Sequence, residues 1–112
     1  MESTRLKKIS RLLQRELSDI FQREARTLFH GKMITVTVVR VSPDLGIAKV
    51  YLSFFPLKED DDPIAIVNEH AWNIKSELSS RVKHQLRKLP ELHYYLDDSL
   101  DYIDNINRLL KS

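Results

Sequence analysis

Residues 33–55, MITVTVVRVSPDLGIAKVYLSFF, decide the fold of this chain. The segment from Met33 to Ser42 is rich in Val, Thr and Ile and alternates in part between apolar and polar side chains, which favours a strand over a helix. The next four residues, Pro43-Asp44-Leu45-Gly46, have the chemistry of a turn. From Ile47 to Phe55 the alternation is regular, with one apolar face made of Ala48, Val50, Leu52 and Phe54. The stretch predicts a β-hairpin that buries one face.

A helix is predicted before the hairpin. Its apolar residues recur at spacings of three and four and so form one stripe: Leu6, Ile9, Leu13, Leu17, Ile20 and Phe21. Ser3 or Thr4 is suited to cap its start, and His30-Gly31 allows the chain to turn before the hairpin. We therefore expect this helix at about residues 4–26.

A long helical stretch is predicted after the hairpin. The acidic segment from Pro56 to Pro63 is expected to be a surface loop, with Pro63 in the first turn of the helix that follows. Ile64 to Leu89 spans 26 residues without an internal proline or glycine, and its apolar residues at 67, 71, 74, 78, 82, 86 and 89 follow one stripe. We expect a helix there, in one piece or two, that ends at Pro90.

The C-terminal part adds one strand and one helix. His93 to Leu96 is predicted to be a short strand, and Asp98 or Ser99 is suited to cap a terminal helix with an apolar stripe at Leu100, Ile103, Ile106, Leu109 and Leu110. Tyr102 is expected to pack this terminal helix. The order predicts an α+β fold, a two-layer sandwich with a three-stranded sheet and helices on one face.

Composition and charge narrow the functional classes. A chain of 112 residues with 42% hydrophobic and 30% charged residues fits one domain with a modest core. The absence of cysteine excludes disulfides and thiolate metal sites, and without an apolar run long enough for a membrane span or signal peptide we expect a cytoplasmic protein. Net charge is only +2, but residues 1–42 carry nine Lys/Arg against four Asp/Glu, and residues 64–89 carry five against two. This segregation predicts a positive surface on a nearly neutral molecule.

Four motifs, in order along the chain, carry a resemblance to a known family. They are the run from Arg5-Leu6 to Glu16-Leu17-Ser18, Val41-Ser42-Pro43-Asp44-Leu45 followed by Ala48-Lys49-Val50-Tyr51, Ile74-Lys75-Ser76-Glu77-Leu78, and Pro90-Glu91-Leu92-His93-Tyr94 leading to Asp97-Asp98-Ser99. Over nearly its whole length the chain resembles the ribosome-binding factor A family. The resemblance implies a type II KH-like fold, in which a helix-kink-helix replaces the Gly-x-x-Gly loop of KH domains.

The resemblance also implies a function. Residues 1–112 are expected to form a single KH-like RNA-binding domain. It would act as a monomeric, non-enzymatic assembly factor that binds the small ribosomal subunit and its ribosomal RNA during late maturation. The family places Ala-x-Gly at the kink, whereas this chain offers His70-Ala71-Trp72 or, shifted by one, Ala71-Trp72-Asn73, neither of which contains glycine. We predict the kink at Ala71, Trp72 and Asn73.

The candidate RNA-binding residues are cationic. The first choice lies in the second half of the long helical stretch: Lys75, Arg81, Lys83, His84, Arg87 and Lys88. A second patch lies on the first helix, at Arg5, Lys7, Lys8, Arg11 and Arg15, and Arg40 and Lys49 are candidates to extend either patch across the hairpin. The alternative is that these helix faces are merely solvated and that the chain is a protein–protein interaction module, docking through exposed apolar and acidic surface.

Aromatic residues are candidates for stacking on bases or for the core. We expect Phe21, Phe29 and Phe54 in the core. Phe55 and Tyr94 are conceivable stacking platforms, as are Tyr51 and Trp72, for which the sequence favours neither role.

Nothing in the sequence indicates catalysis. The four histidines have no metal-ligand spacing, and the acidic runs Asp60-Asp61-Asp62 and Asp97-Asp98 with Asp101 do not follow a calcium-loop pattern. A glycine-rich phosphate loop and a nucleophile elbow are also absent. We expect no enzyme activity, no cofactor, no metal and no small-molecule substrate.

Overall fold

The computed structural model describes residues 4–55 and 60–97. Six elements follow one another in this part of the chain: α1 (Thr4–Arg23), β1 (Met33–Val41), β2 (Ile47–Phe55), α2 (Pro63–Glu69), α3 (Ala71–Val82) and β3 (Glu91–Leu96). The predicted cap at Ser3, the predicted cap at Asp98 or Ser99 and the predicted terminal helix with Tyr102 lie outside the described residues. No described helix is long and apolar enough to cross a membrane.

The predicted hairpin is confirmed. β1 and β2 pair antiparallel from Met33 opposite Phe55 to Val41 opposite Ala48, with a register shift between Val36 and Val38. In the turn, Asp44 Oδ1 accepts hydrogen bonds from Ser42 Oγ at 2.7 Å and from the Gly46 N–H at 3.0 Å. These two bonds hold the pKa of the Asp44 carboxyl below its usual value.

The third strand lies parallel to β2, so the sheet order is β1-β2-β3. Parallel neighbours need a long crossover connection, which α2 and α3 provide. The apolar stripes of the helices pack on the buried face of the strands, and the core contains Leu13, Leu17, Phe21, Ile74 and Leu78 from the helices with Ala48, Val50 and Leu52 from β2. The two-layer α+β prediction with helices on one face is confirmed.

The first helix ends at Arg23, slightly before the predicted end at residue 26. Residues 24–32 turn the chain instead, with His30 and Gly31 at positive φ of 56° and 80°. This turn returns Phe29 to the core, where it is fully buried and its ring centroid lies 5.4 Å from that of Phe21.

The long helical stretch is two helices, and it is shorter than predicted. Asp62 caps α2 by accepting the Ala65 N–H at 3.2 Å, and Pro63 is in the first turn, as expected. The second helix of the pair, α3, ends at Val82 and not at Leu89. The residues after Val82 are needed for a reversal that brings Glu91 beside β2, where its N–H bonds to the Gly46 carbonyl at 2.9 Å.

The break between α2 and α3 lies at His70, one residue before the predicted kink at Ala71, Trp72 and Asn73, all three of which belong to α3. His70 has φ −110° and ψ 20°, and this negative φ does not require glycine. The break therefore needs no glycine, which explains how the chain bends without the Ala-x-Gly of the family. The His70 ring packs edge-on against Phe29, with centroids 5.8 Å apart.

Candidate RNA-binding surface

Helices α1 and α3 run antiparallel and are joined by Arg81. Asn73 and Glu77 near the start of α3 lie beside Ile20 and Glu24 near the end of α1. Further along α3, Arg81 Nη1 lies 2.6 Å from Asp19 Oδ2 and 3.4 Å from Glu16 Oε2, and Arg81 Nε lies 3.1 Å from Glu77 Oε1. One guanidinium thus contacts three carboxylates.

Arg81 is therefore partly buried in the helix interface, unlike the exposed cations with which it was predicted to bind RNA. Its side chain is only 17% exposed. The hydrogen bond to Asp19 is the largest cause of its raised pKa, and the same bond lowers the pKa of Asp19. Its charge is balanced within the protein, so Arg81 is a link between helices and is poorly available to a phosphate.

The remaining cations of this region face solvent. Lys75 lies on α3, and four further residues follow the end of α3 at Val82: the cations Lys83, Arg87 and Lys88, and His84. We call these four residues the 83–88 cluster. Within the described residues the 83–88 cluster takes part in no ion pair, so the charges of Lys83, Arg87 and Lys88 are available to an external anion.

The cations of α1 approach the same end of the helix pair. Arg5, Lys7, Lys8, Arg11 and Arg15 are exposed. Of these, Arg15 lies 3.5 Å from Glu16. Because α1 and α3 are antiparallel, the N-terminal half of α1 lies toward the end of α3 that leads into the 83–88 cluster. The two predicted patches therefore lie toward the same end of the helix pair, which we call the basic helix end.

Arg40 and Lys49 do not extend this surface. They are exposed cross-strand partners, and Lys49 is also opposite His93 on β3. Their neighbours Val39, Val41, Ala48 and Val50 point into the core, so Arg40 and Lys49 lie on the sheet face that is opposite the helices. The expectation that they extend a helix patch is wrong. The alternation of apolar and polar residues from Ile47 to Phe55 already indicated that Lys49 lies on the face opposite Ala48 and Val50.

The described aromatic residues fall into a buried group and a partly or largely exposed group. Phe21, Phe29 and Phe54 are in the core, as expected. Tyr94 is also buried, and burial raises the pKa of its hydroxyl, so it is no stacking platform. Tyr51 stacks on Tyr95 across the outer sheet face, with centroids 5.4 Å apart. Among the Phe, Tyr and Trp side chains of residues 4–55 and 60–97, those of Phe55 and Trp72 are the most exposed, at 70% and 76%.

The described residues hold no cluster of three or more His, Asp or Glu side chains that is arranged to bind a metal. In the acidic run, Asp61 forms an ion pair with Lys32 at 2.6 Å, which ties the start of β1 to the segment before α2. A cavity of about 630 Å³ lies between α1 and β1, and its lining includes Gln22, Arg26 and Thr35 but none of the predicted RNA-binding residues.

The element order, the mixed three-stranded sheet and the interrupted helix pair α2–α3 define a KH-like α+β protein. Solved structures with this fold include the crystal structure of ribosome-binding factor A from Thermus thermophilus. It is 26% identical, with a TM-score of 0.65 over 81% of this chain and 94% of that chain. A homology model of the Thermus thermophilus protein, fitted into a cryo-EM map of a 30S complex, is 28% identical. Its TM-score is 0.59 over 75% of this chain and 86% of that chain.

Sequence comparison leads to one family. The ribosome-binding factor A of Christiangramia forsetii is 48% identical over 98% of this chain and 85% of its own length. That of Cytophaga hutchinsonii is 42% identical over 98% of this chain and 83% of its own length. The family model for ribosome-binding factor A matches residues 5–110. The chain belongs to the ribosome-binding factor A family.

Proposed function

We propose that this protein is a non-catalytic assembly factor that binds the small ribosomal subunit during its late maturation, and that the basic helix end contacts the ribosomal RNA. Residues 1–112 then act as a single, monomeric KH-like RNA-binding domain in the cytoplasm. The family supports the role, since a homology model of a relative has been fitted into a cryo-EM map of a 30S complex of that relative. The observation in this chain that carries the proposal is the position of two exposed cation patches toward the same end of the α1–α3 pair.

The chemistry of this surface suits a phosphate backbone. Lysine and arginine side chains displace condensed counterions from RNA, and this release drives binding in a salt-dependent way. The 83–88 cluster requires little desolvation because its side chains are already at the surface. Phosphate contacts position a protein without distinguishing bases. We therefore expect the basic helix end to supply affinity and orientation, while the shape of the RNA selects the site.

The test is co-sedimentation with purified small and large subunits over a salt series, with immature and mature small subunits in parallel. The key variant carries Lys83→Glu, Arg87→Glu and Lys88→Glu, and it leaves Arg81 in place so that the helix interface is preserved. The matched control carries Arg40→Glu and Lys49→Glu, which reverse two exposed charges on the other side of the sheet.

Wild-type protein and the control should bind the small subunit, with binding that weakens as salt is added, and the key variant should not bind. Equal loss in both variants would show a general effect of net charge. Retained binding by the key variant would contradict this choice of surface, and binding that does not respond to salt would favour a protein–protein interaction module.

A further inference from the structure

The outward face of α3 carries a row of residues that the helix–helix packing does not use. Trp72, Ser76, Ser79 and Lys83 follow one another at spacings of four, three and four, which places them on one stripe of the helix. All four are exposed, and the indole of Trp72 is the most exposed large apolar side chain among the described residues, at 76%. Lys75 and Ser80, also exposed, flank this row. We call these six residues the Trp72 stripe.

The Trp72 stripe contains no carboxylate. The acidic residue of α3 is Glu77, and it is turned away from the stripe into the contact with Arg81 at 3.1 Å. The Arg81 guanidinium is itself turned toward α1. The outward face is left with an aromatic ring, hydroxyls and two ammonium groups, Lys75 and Lys83.

The surface beside the ring is concave. A shallow cavity of about 290 Å³ is lined by Trp72, Lys75, Ser76 and Ser79. The serine side chains are small, so a polymer backbone can approach the helix closely there. Their hydroxyls can donate hydrogen bonds to phosphate or sugar oxygens.

We propose that the Trp72 stripe is a binding site for single-stranded RNA, in which one unpaired base stacks on the indole of Trp72 and the sugar–phosphate backbone follows the serines to Lys83. This inference rests on the proposed function and adds the kind of RNA that is bound. A base is free to cover an aromatic ring only when it has left its own stack, so the site selects loops, bulges or ends over continuous duplex.

The surroundings of Trp72 favour RNA over a protein partner. A docking surface for a protein has an apolar centre of several aromatic or aliphatic side chains. Here a single ring stands among serines and lysines. That combination of a stacking surface with cations along a track is characteristic of single-strand nucleic-acid sites.

The dimensions also fit. Trp72 and Lys83 are eleven residues apart, which corresponds to roughly 16 Å along a helix. Lys83 ends the stripe and begins the 83–88 cluster, so a backbone that follows the stripe would continue toward Arg87 and Lys88. The Trp72 stripe would then be the specific end of a track whose other end is the basic helix end.

Trp72 is the single tryptophan of the chain, so its fluorescence reports on this site alone. The first measurement is the emission of the wild-type protein during titration with short, unstructured oligomers of adenosine, cytidine or uridine, and separately with a duplex RNA. We expect single-stranded RNA to quench the emission strongly and duplex RNA to quench it weakly.

The second measurement is the affinity of wild-type and variant proteins for fluorescein-labelled oligomer, by anisotropy. Trp72→Leu keeps an apolar side chain but removes the ring and should weaken binding by roughly 5- to 150-fold, the range expected for one stacked base. Trp72→Phe should recover part of the affinity. Phe55→Leu is the matched control, because it removes another highly exposed ring outside the stripe, and should bind as the wild type does.

Three outcomes would overturn the inference: binding of oligomer without a change in Trp72 emission, unchanged affinity of Trp72→Leu, or no oligomer binding by the wild type. None of these would refute the proposed function, which is judged by co-sedimentation of the wild-type protein with small subunits. If the wild-type protein does not co-sediment with small subunits, the proposed function is refuted. Quenching of Trp72 emission by free RNA would then still show that the Trp72 stripe binds RNA.

Discussion

Arg81 Nη1 lies 2.6 Å from Asp19 Oδ2, across the interface between α3 and α1. This contact joins the two helices near the end of the pair that carries the exposed cations. A residue in the most basic part of the sequence therefore has a structural role, while its neighbours remain at the surface. Variants of Arg81 and of Arg87 should separate the two roles.

Arg81→Ala should lower the melting temperature by roughly 5 °C, because three carboxylates lose a charged hydrogen-bond donor in a partly buried position. Arg87→Ala, which removes an exposed charge, should leave the melting temperature unchanged. Thermal unfolding followed by circular dichroism measures both. An equal effect of the two substitutions would contradict the placement of Arg81.

The same contact predicts a dependence of stability on pH. The hydrogen bond from Arg81 lowers the pKa of Asp19 from its ordinary value of 3.8. A carboxyl with a lowered folded-state pKa binds its proton more readily in the unfolded state, so its stabilising contribution is present above pH 3.8 and is lost as the pH falls through the folded-state pKa. Asp19→Asn should therefore be less stable than the wild type at neutral pH, and the difference should shrink in acid. Urea unfolding at a series of pH values tests this, and a constant difference would speak against the contact.

Phe29 tests the turn between α1 and β1. It is fully buried and contacts both Phe21 and His70, although it lies outside the regular elements. Phe29→Ala should lower the free energy of unfolding by about 3–5 kcal/mol, as is usual for a buried aromatic residue. Phe55→Ala, at a side chain that is 70% exposed, should change it little. Denaturant titration of both variants measures these free energies of unfolding. A small decrease for Phe29→Ala would show that the turn does not return this ring to the core.

The break at His70 yields a prediction about glycine. Because His70 has a negative φ, a glycine there relieves no strain and only adds conformational freedom to the unfolded chain. His70→Gly should lower the free energy of unfolding by about 1 kcal/mol, with a further loss from the missing contact to Phe29. His70→Ala separates the two contributions. If His70→Gly were more stable than His70→Ala, the backbone at the break would differ from the one described.

Local patterns were sufficient to predict the elements and the two-layer α+β class, whereas the KH-like fold was implied by the family resemblance. The alternation of Val50, Leu52 and Phe54 and the stripe through Leu13 and Leu17 each determine an element and its buried side. The end of α3 was not predictable in this way, since Leu86 and Leu89 keep the helical spacing but pack on the core from a turn. The reversal there is imposed by the parallel pairing of β3 with β2, which is a long-range contact.

The candidate site was predictable only in part. Sequence identifies the cations, but it does not show which of them a carboxylate from another helix neutralises, and Arg81 is bonded to two residues that precede it by more than 60 positions. The exposure of Trp72 was also not predictable from the sequence. Trp72 directly follows the break at His70, and the direction that α3 takes after the break determines which of its side chains face solvent. The side of the sheet that carries Lys49 could have been deduced, since it alternates with Ala48 and Val50.

Co-sedimentation with immature small subunits, comparing the triple variant Lys83→Glu, Arg87→Glu, Lys88→Glu with the double variant Arg40→Glu, Lys49→Glu, tests the RNA-binding surface most directly. We predict that the double variant binds as the wild type does and that the triple variant, with an unchanged melting temperature, does not bind. Binding of a folded triple variant at wild-type strength would show that the basic helix end does not hold the RNA.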